Sequence, residues 1–133
     1  MAVLRSSLNA LHNCQNPNQT STKKVLCVCS AGLLRSPTAA KILTEKFGYN
    51  TRAVGVYDYA LIQISEVLVQ WADEVLFMEE NHYDSVVFRN SQDWIDSLNA
   101  KCHILGIPDD HDWGSPELEA IILEKYLQTQ KKT

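Results

Sequence analysis

The chain has 133 residues, 45% of them hydrophobic and 21% charged, with a formal net charge of −4. This length fits one domain with a core large enough to fold without staples. The acidic balance argues against a nucleic-acid or anionic-membrane binder, though it leaves room for a locally positive pocket. No stretch approaches transmembrane length and no secretory apolar segment is present.

Four cysteines, Cys14, Cys27, Cys29 and Cys102, show no paired metal-ligand spacing. Cys27 and Cys29 are read as facing opposite sides of one strand. Free thiols in the cytoplasm are the simplest reading.

Residues 1–22 read as an N-terminal arm and linker, and residues 23–133 as an α/β domain. Leu4, Leu8 and Leu11 have helical spacing, whereas Asn13 to Thr22 is almost wholly Asn, Gln, Ser and Thr. The arm is either unattached or engaged in docking or dimer formation. Lys24 to Cys29 is the first strand, apolar at nearly every position, as in a parallel sheet covered on both faces. A loop, Ser30-Ala31-Gly32-Leu33-Leu34-Arg35, follows it. Ser36 then reads as the N-cap and Pro37 as the first residue of a helix. Its stripe is Ala39, Ala40, Leu43 and Phe47, and Gly48 closes it.

A second strand is expected over Thr51 to Val56, then a polar-aromatic loop, Tyr57-Asp58-Tyr59. Ile64, Val67, Leu68 and Trp71 mark the stripe of a second helix. A third strand spans Glu74 to Met78 and a third helix Glu80 to Phe88, with a weaker helical segment from Asp93 to Leu98. A fourth strand spans His103 to Ile107. Pro108 ends it before the loop Asp109-Asp110-His111-Asp112-Trp113, and Ser115-Pro116 opens a last helix with Leu118, Ile121, Ile122 and Tyr126 inward. Alternating strands and helices imply right-handed crossovers and a doubly wound, four-stranded parallel sheet with helices on both faces. Ligands on such sheets bind at the carboxyl ends of the strands, which brings Cys29, Arg35 and Asp109 to one edge.

Strand, tight loop and helix N-terminus together gather backbone N–H groups and a helix dipole around one point, a seat for an oxyanion such as phosphate. A thiol at the first position is a nucleophile, and helix N-termini and nearby cations favour the thiolate form. Ser36 is placed to donate to that thiolate. Arg35 offers a planar fork for two phosphate oxygens, which Lys does not supply. A departing ester oxygen needs a proton, and an acid from a second loop on the same edge suits the task. Asp109 is the first choice and Asp110 the competitor. Cys27 and Cys102, inside strands, read as structural.

These residues resemble the low-molecular-weight protein-tyrosine phosphatase family, whose signature is Cys-x-Gly-Asn-x-Cys-Arg-Ser-Pro between a strand and a helix. Cys29, Arg35, Ser36 and Pro37 match it. The likeness extends through Arg52-Ala53-Val54-Gly55 and Trp71 to Met78. Ile107-Pro108-Asp109-Asp110 and Ser115-Pro116-Glu117-Leu118 match a short bacterial and phage-type branch better still. The resemblance covers about residues 24–127 and implies the flavodoxin-like sheet topology. It also implies hydrolysis of phosphotyrosine, or a similar aryl phosphate, through a phosphocysteine. Cys29 would be nucleophile, Arg35 transition-state clamp, Ser36 thiolate stabiliser and Asp109 acid, with no metal or cofactor. The implied partner is a phosphotyrosine-bearing protein or a small aryl phosphate.

The chain departs from the signature in three places. Ala31 and Gly32 replace the loop Gly and Asn, so the side-chain hydrogen bonds of the Asn are lost. Leu34 replaces the second Cys, so no disulfide partner for Cys29 stands there. Asp109-Asp110-His111 replaces Asp-Pro-Tyr, and the aromatic wall then falls to His111 or Trp113, or to Tyr57 and Tyr59. Two other functions remain open: a non-catalytic phosphate- or phosphopeptide-binding module, and arsenate reduction. The latter needs a thiol relay, and Glu79 to Asn90, where relatives carry such cysteines, has none.

Overall fold

A computed structural model describes residues 13–14, 23–30, 35–57, 60, 62–89, 92–108 and 115–131. In chain order the elements are β1 (Asn13–Cys14), β2 (Lys24–Cys29), α1 (Arg35–Phe47), β3 (Asn50–Gly55) and α2 (Glu66–Trp71). There follow β4 (Glu74–Phe77), α3 (Glu80–Arg89), α4 (Gln92–Asn99), β5 (Cys102–Ile104) and α5 (Pro116–Lys131).

The sheet order is β1-β3-β2-β4-β5. The four strands from β2 to β5 are parallel, as the strand–helix alternation requires. A two-residue strand is added at the edge: Asn13 and Cys14, inside the stretch read as linker, pair antiparallel with Arg52 and Thr51. From β2 the chain steps first to β3 on one side and then to β4 on the other. The topological switch point, where ligands bind in doubly wound sheets, therefore lies at the carboxyl ends of β2 and β4.

The helices form two layers because alternate residues of each strand face opposite ways. Val25, Cys27, Cys29, Ala53 and Leu76 meet Ala39, Ala40, Ile42 and Leu43 of α1 and Leu118, Ile122 and Tyr126 of α5. Leu26, Val28, Val54, Val75 and Phe77 face α2, α3 and α4 through Val69, Val86, Trp94, Ile95 and Leu98. Cys27 and Cys29 thus share a face. The expectation that they diverge fails, because residues two apart on a strand point the same way.

Helix α1 begins at Arg35, two residues before the expected start, so Ser36 lies inside its first turn and does not cap it. Pro37 is tolerated there because first-turn N–H groups have no helical partner. At the other end Gly48 takes φ 72° and donates its N–H to Thr44 O at 2.9 Å, a left-handed stop that suits glycine.

Helix α2 has only one turn and a half, capped by Ser65, whose hydroxyl accepts from Leu68 N–H at 3.4 Å. Ile64, Leu68 and Trp71 pack partly against the core as expected, but the fully buried residue is Val69, and Val67, expected inward, is 74% exposed. A segment this short does not complete the period on which that reading rested. β5 ends at Ile104, short of the expected Ile107, although Leu105 and Ile107 still donate to Phe77 O and Met78 O. In α5, Leu118, Ile122 and Tyr126 are buried and Ile121 packs partly against them, as its stripe indicates. No described helix is long and apolar enough to cross a membrane.

Candidate active site

Cys29 is the last residue of β2 and Arg35 the first of α1; both are buried, at 4% and 2% exposure. Cys29 Sγ lies 3.1 Å from Ser36 Oγ, and Ser36 Oγ donates to Val54 O at 3.3 Å. A hydroxyl has a single proton. With a thiol, Cys29 donates to Ser36 and Ser36 to Val54. With a thiolate, the Ser36 proton turns to the sulfur.

The backbone after Cys29 is pinned to β3. Val56 N–H donates to both Cys29 O and Ser30 O at 3.0 Å, and Tyr57 N–H to Ser30 O at 3.2 Å. Tyr57, expected in the pocket wall, is half-buried against the core layer of α2 to α4. Ala31, Gly32, Leu33, Leu34, Tyr59, Asp109, Asp110, His111 and Trp113 lie outside the described residues.

The Arg35 guanidinium engages the Glu79 carboxylate through Nη1, and the same nitrogen donates to Ile107 O at 2.9 Å. A buried guanidinium requires such partners, since desolvating an unpaired charge costs several kcal/mol. Five N–H donors make up the fork, so bonds at one nitrogen do not exhaust it. Ile107 is two residues before Asp109 in sequence and is held by its own N–H on Met78 O at 2.7 Å. The segment that leads from β5 toward Asp109 therefore reaches the guanidinium.

Sequence reasoning missed Glu79 and His82. Glu79 follows the end of β4, and its backbone N–H donates to His82 Nδ1 at 3.1 Å. His82, fully buried on α3, places Nε2 3.0 Å from Ser30 Oγ. A signal for both existed. The loop after the third strand opens on the same carboxyl edge as the loops after the first and fourth; it carries an acid, and the first turn of the helix it leads into carries an imidazole.

Cys102 pairs with Val75, and Val75 with Leu26, so it stands level with the start of β2 on the second strand over. Roughly 10 Å along the strands and a similar distance across them separate it from Cys29. Burial pushes the Cys102 thiol up and holds it protonated. Neither property suits a thiol relay. Among the described residues no group of three or more His, Cys, Asp or Glu side chains is arranged to hold a metal ion.

No protein-family model and no curated protein sequence matches the chain. Solved structures do. Wzb of Vibrio vulnificus, in complex with benzylphosphonate, is 20% identical with a TM-score of 0.60, over 85% of this chain and 100% of that one. YwlE arginine phosphatase from Geobacillus stearothermophilus is 24% identical with a TM-score of 0.56, over 82% and 95%. A low-molecular-weight phosphotyrosine phosphatase of Vibrio cholerae is 17% identical with a TM-score of 0.60, over 82% and 97%. This chain carries the fold of the low-molecular-weight protein-tyrosine phosphatases.

Proposed function

We propose that the protein is a cysteine-dependent phosphomonoesterase acting on phosphotyrosine or a similar aryl phosphate. The observation that carries this reading is the meeting, at the switch point of the sheet, of Cys29 Sγ with Ser36 Oγ and of the buried Arg35 with the segment leading to Asp109. A thiol that were merely core would need no hydroxyl beside it and no guanidinium at the next helix start.

In the proposed reaction, Cys29 attacks phosphorus as the thiolate, steadied by the Ser36 hydroxyl. The S–P bond forms as the ester P–O bond breaks. Backbone N–H groups of residues 30–34 and the Arg35 fork take the three equatorial oxygens, whose charge a positioned set of donors stabilises. Asp109, with Asp110 as the alternative, protonates the leaving phenol oxygen. The same carboxylate then takes a proton from the water that cleaves the phosphocysteine, returning phosphate and the thiolate. Arg35 shares its fork among Glu79, Ile107 O and the phosphate when phosphate binds. Tyr57, Tyr59, His111 and Trp113 are the proposed aromatic wall.

The test is hydrolysis of p-nitrophenyl phosphate by the wild type and Cys29→Ser, followed by phosphotyrosine and phosphoarginine peptides. Turnover lost in Cys29→Ser and a preference for the aryl ester support the reading. Equal rates in the two proteins overturn it. Phosphopeptide binding without turnover across a pH series makes the protein a binding module, and a preference for phosphoarginine moves the substrate to the guanidino phosphates.

A further inference from the structure

The four loop residues between Ser30 and Arg35 are Ala31, Gly32, Leu33 and Leu34, none with a polar side chain. Such a loop has no side-chain hydrogen bonds of its own with which to hold its backbone N–H groups in a ring. Among the described residues, one side chain touches Ser30 at one end of this loop and the partner of Arg35 at the other.

That group is His82. A fully buried imidazole needs partners for both ring nitrogens. Nδ1 faces the Glu79 backbone N–H at 3.1 Å, a donor in every protonation state, so Nδ1 carries the lone pair. The proton of the neutral ring is then on Nε2, which donates to Ser30 Oγ at 3.0 Å. The two bonds fix one tautomer. They also lead to opposite ends of the loop. Ser30 is the first residue after Cys29, and its carbonyl is held by Val56 and Tyr57 N–H. Glu79, positioned through its N–H, engages Arg35 at the far end with its carboxylate.

We propose that His82, as the neutral Nε2–H tautomer, is a positioning residue that latches both ends of the phosphate loop, through Ser30 on one side and through Glu79 to Arg35 on the other. The proposal rests on reading Cys29 and Arg35 as the phosphatase site. His82 touches no reacting atom; it acts by holding donors where charge develops, so its loss falls on turnover more than on substrate affinity.

The experiment uses Ser30→Ala, which removes the acceptor without disturbing α3, together with His82→Asn, His82→Gln and the double variant Ser30→Ala/His82→Asn. Gln places an amide N–H near the position of Nε2; Asn places its oxygen near Nδ1 but does not reach Ser30. The expected result with p-nitrophenyl phosphate is a loss in kcat of about 5–10-fold in Ser30→Ala, the worth of one buried hydrogen bond, with KM within about 2-fold. His82→Asn loses at least as much, His82→Gln recovers most of it, and the double variant is no worse than His82→Asn alone. Wild-type kcat in Ser30→Ala, or losses that multiply in the double variant, overturns the latch. If His82→Asn unfolds, Ser30→Ala carries the test alone.

Two readouts stand apart from activity. Imidazole nitrogen NMR of the wild type at neutral pH is expected to show a pyridine-like Nδ1 and a pyrrole-like Nε2, and the reverse tautomer or an imidazolium overturns the proposal. Vanadate, which mimics the five-coordinate transition state, titrated against wild type and Ser30→Ala is expected to bind several-fold more weakly to the variant, and equal affinity overturns it. A wild type that does not turn over ester sinks the phosphatase reading, while these two measurements still decide the latch.

Discussion

Cys29 Sγ and Ser36 Oγ face each other at 3.1 Å in a fully enclosed corner between β2, β3 and the first turn of α1. The serine hydroxyl has a second acceptor, Val54 O, at 3.3 Å, and one proton to give. Ser36→Ala therefore removes a donor that matters only when the sulfur is charged. A hydrogen bond to an ionised group contributes about 1.5–3 kcal/mol. The expected outcome is alkylation of Cys29 by iodoacetamide about 10–100-fold slower at neutral pH, and kcat reduced by a similar factor. Val54 O loses a weak, long bond, so the urea midpoint moves little. Unchanged alkylation would show that the hydroxyl belongs to Val54 alone.

Glu79 neutralises the Arg35 guanidinium, whose side chain is 3% exposed while that of Glu79 is 35% exposed. Glu79→Gln keeps the shape and removes the charge. The expected destabilisation is about 1–3 kcal/mol, less than for a fully buried pair because water reaches the carboxylate. Bound phosphate supplies a replacement anion, so added phosphate is expected to raise the urea midpoint of Glu79→Gln more than that of the wild type. Equal increments in the two proteins would mean that phosphate does not meet Arg35.

The layered fold was legible because the apolar pattern is strong where it matters. Val25 to Cys29 is a run that both faces of a sheet must bury, and α1 and α5 carry stripes long enough to show a helical period. Val67 and Val69 were not separable, because a helix of one and a half turns has no period to read. Ser36 was read as a cap from its residue type and its place before Pro37. Its hydroxyl instead meets Cys29, as its place in the motif indicates, and also Val54 O, a tertiary acceptor that sequence spacing does not encode. Within the candidate site, Cys29, Arg35 and Ser36 share one motif and were found together. Glu79 and His82 lie more than 40 residues away in the chain, and their bonds to Arg35 and Ser30 exist only because β4 lies beside β2.

Gly106 adopts φ +73° between two residues whose N–H groups are tied to β4, Leu105 to Phe77 O at 2.8 Å and Ile107 to Met78 O at 2.7 Å. The turn cannot relax at either side. A Cβ there would meet nothing within 4 Å, so Gly106→Ala introduces backbone strain without a clash. The left-handed conformation costs an alanine about 1–2 kcal/mol. The expected result is a urea unfolding free energy lower by about 1 kcal/mol, partly recovered in Gly106→Asn, which tolerates that region. Because the next carbonyl, Ile107 O, holds Arg35, activity is expected to fall in Gly106→Ala as well. A loss of stability with full activity would separate the turn from the guanidinium.

At the opposite end of the sheet, Tyr126 is buried under Lys23, whose Nζ donates to the phenol oxygen at 3.2 Å and lies 5.8 Å from its ring centroid. Burial, with Tyr49 and the Glu74 carboxylate nearby, pushes the Tyr126 phenol far up, so it stays protonated in the folded chain well beyond the usual range. The unfolded phenol titrates near pH 10. A group whose folded pKa is raised gives its full contribution to stability below the unfolded value and loses it as pH rises above it. Tyr126 alone therefore gives a decline of about 1.4 kcal/mol per pH unit above pH ~10, and Cys102, also raised by burial, adds to the decline from about pH 9. Tyr126→Phe keeps the ring contacts with Phe47 and Tyr49 and removes the titrating group. Its unfolding free energy is expected to start about 1 kcal/mol lower at pH 7, for the lost Lys23 bond, and to fall less steeply from pH 10 to 11. Denaturant melts of both proteins across that range give the slopes directly, and parallel slopes would exclude Tyr126 as their source.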